Sequence, residues 1–475
     1  MDVIKLNGRG QIMNLLDTTV MLMYFAVLII AGFIGSIKAK SSEDFMLAGR
    51  NLGMFMYLGC LSAVILGGAS TIGTAQLGYE HGISGIWFVA MIGLGIIALG
   101  TIFNKRISSI KVTTISELLG KKYNKETRYV SALIATIYTL MITVTQVIGI
   151  GSIISVLLDW NFILSMLVGG SIVLLYTILG GMWSVTLTDI IQFVVMTIGI
   201  FVFMLPISLS EAGGMGKLFS ELPASHFNLL SIGIGDIFQY FLLFTLGMVV
   251  SQDIWQRIFT ARSPSIARKG SVYAGLYSII YAIAGSIIGM CAMVLLPNMG
   301  NTQNTFANFA IEVLPPGVLG FVLASVCSAL MSTASGTLLA SSTLITNDFI
   351  KVLYKNKSEK EIIFISRITT LCVGVVAITL AIWIQDVLVA LDVAYAILSG
   401  AIFVPFVAAL FLKNVTPKSG FYAIIVSTIV VMAGLMIEGL SSKNPIIYGM
   451  VSGIIIIVSF TFVTVNKKSY QQVNK

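Results

Sequence analysis

Charge is what this chain has least of. Only 10% of its 475 residues are Asp, Glu, Lys or Arg, while 57% are hydrophobic. Soluble domains carry about 25% charged residues, so a water-exposed globular body is excluded. Histidine is reduced to His81 and His226, and the four cysteines, Cys60, Cys291, Cys327 and Cys372, all lie in apolar stretches. No His/Cys set has metal-ligand spacing, and the thiols read as small core residues, with no disulfide framework. Paired carboxylates and a serine–lysine dyad at depth are missing too, so the chain is not read as an enzyme. A cleavable leader is not expected, because Lys5 and Arg9 precede no short apolar run with a small-residue cleavage site.

What the chain has is apolar length. Runs of about 18 or more residues, each long enough for a spanning helix, recur at roughly 15–37, 53–79, 84–103, 129–157, 162–179, 187–208, 235–251, 270–296, 317–344, 363–385, 387–412, 419–438 and 446–465. The fold class is therefore an all-α membrane protein of about 13 transmembrane helices in a single transmembrane domain over 1–475. The net charge of +8 does not indicate nucleic acid. With the N-terminus outside, 24 of the 28 Lys and Arg fall in inner loops, among them Arg257, Arg262, Arg268 and Lys269 after the seventh run. Only Lys5, Arg9, Lys217 and Lys443 fall outside. This is the positive-inside pattern. It supports an odd helix count and a cytoplasmic C-terminus. The expected setting is the plasma (inner) membrane, with the lipid bilayer as partner and a monomer as the functional unit.

Polar groups at bilayer depth are functional candidates by default. Three places have them. The ninth run holds Ala329-Leu330-Met331-Ser332-Thr333-Ala334-Ser335-Gly336, a string of hydroxyls without charge. Residues 329, 332 and 333 share one helical face, and neutral oxygens suit a small monovalent cation; calcium or magnesium would want carboxylates. The second run reads Ser62-Ala63-Val64-Ile65-Leu66-Gly67-Gly68-Ala69-Ser70-Thr71, and the seventh has Phe244-Thr245-Leu246-Gly247-Met248 followed by Ser251 and Gln252. Close packing of small residues explains such strings. So does a pair of discontinuous helices, the best sequence pointer to a transporter site. Runs two to six and seven to eleven then form two five-helix units, the second inverted because five is odd. Asp189 is the one carboxylate near depth, read either as a cap at the start of the sixth helix or as a group on a cation's exit path.

The order of these features resembles the sodium:solute symporter family over nearly the whole chain. The matching residues are Ser42-Glu43-Asp44-Phe45-Met46-Leu47-Ala48-Gly49-Arg50, Gly180-Gly181-Met182-Trp183-Ser184 with Asp189 and Gln192, Gln256-Arg257 with Ala267-Arg268, and the Ser332-Thr333 string. The resemblance implies the leucine-transporter-type fold, with two inverted repeats at 53–208 and 235–412, an extra N-terminal helix at 15–37 and extra C-terminal helices at 419–465. It implies a co-transported sodium held by the carbonyls of Ala63, Leu66 and Ala329 and the hydroxyls of Ser332 and Thr333. A second sodium, or an exit path, would use Asp189, Ser332 and Ser335, but Gly336 stands where members with that ion have another serine.

For the substrate, the positions that line the cavity of the family's sugar carriers fall here on Ser70, Val89, Ile92, Phe244, Gly247 and Ser278. Most of the polar set is lost, which disfavours a sugar. The substrate-binding candidates are Ser70, Gln76, Thr143, Gln146, Phe244, Thr245, Gln252 and Tyr395, for a small carboxylate or amino acid. For each, interhelical hydrogen bonding is the competing role. The reading is a secondary active transporter performing sodium-coupled symport of a small organic solute by alternating access. A proton-coupled transporter of the same fold and a transporter-like membrane sensor are the alternatives. The scarcity of deep carboxylates disfavours the first, and the nearness of the last apolar run to Lys475 disfavours an attached output domain.

Overall fold

The computed structural model describes residues 15–473 apart from 108–109, 159, 301, 355, 385–386, 413–414, 441 and 443. Lys5, Arg9, Lys355, Lys413, Lys443 and Lys475 of the charge pattern lie outside the described residues. The long helices are α1 (Leu15–Lys38), α2 (Met54–Ile65), α3 (Gly68–His81), α4 (Trp87–Ala98), α5 (Lys125–Leu158), α6 (Phe162–Gly180), α7 (Met182–Thr197), α8 (Ile234–Val250), α9 (Gln252–Ile258), α10 (Pro264–Leu295), α11 (Val318–Leu344), α12 (Glu359–Ile384), α13 (Val387–Phe411), α14 (Pro417–Glu438) and α15 (Asn444–Val473).

By length and hydropathy, 11 helices among the described residues suffice to cross a membrane, or 12 with the bent pair α8 and α9 counted as one span. Residues 70–106 count there as one helix, yet the chain folds back on itself within them. Gly82 takes φ +64, and a Cβ on Gly73 would lie 3.3 Å from the ring of Phe88. In a straight helix those residues would stand about 22 Å apart. Counting this reversal, and joining α2 to α3, brings the crossings to about thirteen, as the apolar runs require.

The core and the rim differ as lipid solvation demands. In α11, 89% of the most apolar window is buried, against 39% in α1 and 28% in α15. The outer helices turn large apolar side chains outward, such as Phe33, Val375, Ile429 and Ile455, which only a hydrocarbon solvent tolerates in such number. α11 is wrapped by α1, α2, α5, α7 and α12. Its two ends are pinned electrostatically. Asp17 of α1 accepts the N–H groups of Gly317 and Gly320 at 2.7 Å each, an anion on a helix N-terminus. At the far end Arg128 of α5 pairs with Asp348 at 2.6 Å. The two interrupted spans are tied together by backbone bonds, Leu52 N–H to Thr260 O at 3.0 Å and Arg262 N–H to Leu52 O at 3.1 Å.

A candidate cation position and a cavity between two broken helices

The first break is a true discontinuity. α2 ends at Ile65, Leu66 (φ −94, ψ 61) and Gly67 (φ −61, ψ 173) leave helical geometry, and α3 starts at Gly68. A helix end strips its last four carbonyls of intrahelical donors, so the chain from Ser62 to Leu66 presents oxygens at a buried depth. One of them, Val64 O, takes the hydroxyl of Thr333 at 2.8 Å. That hydroxyl is also 3.2 Å from Ala329 O. Gln146 of α5 accepts the freed N–H of Gly68 at 3.2 Å. Glycine is required at 68 because a Cβ there would meet Leu330 Cδ2 at 2.0 Å.

Ser332 also reaches α7, with its oxygen lone pairs left free. Its hydroxyl donates to Asp189 Oδ1 at 2.6 Å, and Ser335 donates to Ser332 O at 3.0 Å. Asp189 is fully buried in the second turn of α7 and carries two further contacts, the Cys60 thiol at 3.1 Å and an ion pair with Arg257 at 2.9 Å; the same guanidinium also reaches Cys60 O at 3.3 Å. Cys60 is therefore more than a core residue. Arg257, assigned above to an inner loop, is instead 1% exposed on α9. It reaches Asp189 across the space that Gly336 leaves, where a Cβ would lie 2.6 Å from both terminal guanidinium nitrogens. Charge near a helix end looks like loop charge in a sequence; only the bend at Ser251 carries it inward.

The second break lies between Val250 and Gln252, where α8 and α9 meet at 49°. Between the two breaks is a small cavity lined by residues of both interrupted spans and of α5 and α13. It gathers Ser70, Gln146, Phe244 and Tyr395 from the expected substrate set, Thr333 from the expected cation set, and Val64 and Gly67 from the first break. Thr333 thus joins the expected cation set to the cavity wall. The other expected residues are employed elsewhere. Gln76 bonds Glu80 and Thr302, Thr143 bonds Thr337, Thr245 bonds Met91 O, and Gln252 accepts the Ile115 N–H at 2.9 Å. Tyr138, Phe88 and Asp253 line the cavity without having been singled out in the sequence. The signal available for Asp253 was its position two residues past Ser251.

The sodium:solute symporter family model matches residues 45–427, most of the chain. The chain belongs to the sodium:solute symporter family. This symporter is 27% identical to sodium/glucose cotransporter 4 of Danio rerio, over 89% of this chain and 72% of the relative. It is 25% identical to the sodium/proline symporter of Staphylococcus aureus, over 93% of this chain and 90% of that one. A sodium-coupled sialic acid symporter in a substrate-bound outward-open state superposes with a TM-score of 0.85 at 18% identity, covering 95% of this chain and 98% of the other, which establishes the leucine-transporter-type fold. The protein is accordingly a multi-pass, sodium-coupled solute symporter and not an enzyme, with sodium as the co-transported ion and a small molecule as its substrate.

Proposed function

We propose that one sodium ion binds at the first break, coordinated by the carbonyls of Ala63, Leu66 and Ala329 and the hydroxyls of Ser332 and Thr333. A small solute would occupy the adjoining cavity. The single observation that carries this reading is the Thr333 hydroxyl set 2.8 Å from an unwound carbonyl of α2, on the wall of the cavity. An ion there ties α2 to α11 and closes one side of the solute site, which is how binding of one solute favours the other. The second-ion or exit set, Asp189, Ser332 and Ser335, is read as not holding a second sodium, because the carboxylate is already neutralised by Arg257.

The working units in this reading are the repeats 53–208 and 235–412, flanked by 15–37 and 419–465. They rock to move both solutes inward across the plasma membrane, with the N-terminus outside and a monomer as the unit. One sodium entering across about 100 mV releases about 2.3 kcal/mol. A tenfold gradient adds about 1.4 kcal/mol. Together these support accumulation of a neutral solute by a few hundredfold. The substrate falls in the class of small amino acids or carboxylates.

The test is uptake into proteoliposomes by the Ser332→Ala/Thr333→Ala double variant. The sodium concentration for half-maximal uptake is expected to rise more than about tenfold. Unchanged sodium dependence would sink the assignment, and equal uptake with potassium in place of sodium and a pH gradient imposed would favour the proton-driven alternative.

A further inference from the structure

The cavity has a charge that its walls do not balance. Asp253 lines it, yet among the described residues around it there is no Lys, Arg or His. The nearest guanidinium, that of Arg257 one turn along α9, is bound to Asp189 and touches only the backbone oxygen of Asp253, at 3.3 Å. The carboxylate is held in place by Ser251, whose hydroxyl donates to it and stands 3.0 Å from the Tyr138 hydroxyl. The same hydroxyl is placed to donate to the Tyr138 oxygen; a hydroxyl has one proton to give, so the two acceptors share it and the carboxylate keeps lone pairs free.

The cavity that Asp253 lines is also lined by a run of aromatic rings. Phe88 and Phe244 meet edge to face at 4.8 Å, Phe244 and Tyr395 at 5.3 Å, and Tyr395 and Tyr138 at 5.3 Å. Ring faces attract cations and offer nothing to anions. The charge of Asp253 is met only in part, by the N–H groups of Asp253 and Ile254 in the first turn of α9 and by Arg257 nearby, so a positive group entering the cavity is favoured. Both features oppose a simple carboxylate.

Resting on the reading of this cavity as the solute site, we propose that the transported solute carries a positively charged nitrogen, a small ammonium or zwitterion, whose cationic head sits between Asp253 and the rings of Phe88, Phe244 and Tyr395. The net-anionic members of the carboxylate class are thereby excluded, and amino-acid-like zwitterions are retained.

The test compares molecules of the same shape with and without the charge on purified full-length protein. Thermal stabilisation is measured with glycine betaine against 3,3-dimethylbutyrate, and with choline against 3,3-dimethylbutanol, each in sodium and in potassium. At least one ammonium member should stabilise the protein about tenfold more potently than its carbon isostere, and Asp253→Asn should erase that preference. Equal potency within both pairs, or no shift from either ammonium compound, overturns the proposal and leaves the sodium site standing. An ammonium preference of the same size in potassium does the reverse: it supports the ammonium head and sinks the sodium site. Should Asp253→Asn fail to give monodisperse protein, Phe244→Leu with Tyr395→Leu removes the ring faces, and loss of the ammonium preference is again required.

Discussion

The two broken spans solve the same problem with opposite chemistry. The break at Leu66–Gly67 is neutral. Its exposed oxygens are carbonyls, and the side chains that meet them, Thr333 and Gln146, are uncharged. The break at Ser251 is ionic. Within one short buried helix it places Asp253 on the cavity and Arg257 against Asp189. Neutral oxygens bind a small cation weakly enough to release it, which transport requires. A fixed ion pair is a permanent part of the fold. On the sites proposed here, charge serves architecture and solute recognition, while the moving ion is left to uncharged groups.

The comparison breaks most visibly at Arg257. Replacing it with Gln strands Asp189 at zero exposure, a loss of about 3–5 kcal/mol expected as a large drop in the unfolding temperature of the purified protein. Adding Asp189→Asn should recover a good part of it. Failure of the double variant to recover would mean that Arg257 stabilises by packing alone. Next in size is Gly336→Ser, which drives a Cβ to 2.6 Å from the guanidinium. Overpacking of this kind costs about 1–3 kcal/mol, measured in the same unfolding assay.

A smaller effect is expected at the neutral break. Thr333→Val keeps the shape but loses one hydroxyl bond to Val64 O, about 0.5–1.5 kcal/mol of stability. Its signature is functional, a rise in the sodium concentration needed for uptake that exceeds any change in solute affinity. If Thr333→Val and Arg257→Gln destabilise equally, the contrast between the breaks is false.

The smallest effect concerns the short helix Ile115–Lys122 to which Gln252 anchors the ionic break. Burial of Glu117 there pushes its carboxyl pKa up, but the Thr113 N–H and Lys121 outweigh it and hold the group below its ordinary value. A carboxylate depressed on folding stabilises above its unfolded pKa, and that gain is lost as pH falls through the folded value. Stability should therefore decline as pH drops below about 4.3, by under about 1 kcal/mol for so accessible a pair. Glu117→Gln should flatten this part of the pH profile of the unfolding temperature.

Much of this was written in the residue order. The doubled glycine at 67–68 and the Ser251-Gln252 step marked both breaks, because a spanning helix interrupted by groups that pack poorly into it has few other uses. Thr333 and Asp189 were legible for the same reason, polar atoms where lipid forbids them. Of the expected solute residues, Ser70, Gln146, Phe244 and Tyr395 reach the cavity, while Thr143 and Gln252 spend their hydrogen bonds between helices. Nothing in a helical repeat tells those two uses apart, since both put a polar side chain on an inward face.

Hydropathy along the chain was enough to give a multi-pass membrane protein of about thirteen crossings, and the strings of small and polar residues marked where two helices could be interrupted. Each follows from local free energies of transfer, which are properties of a segment by itself. Which charges lie inside, with Arg257 on Asp189 and Asp253 on a ring-lined cavity, was decided only when α9 bent away from α8 and packed among α2, α5 and α11. Partner choice depends on distances between segments remote in the chain, and a buried charge is defined by what stands next to it.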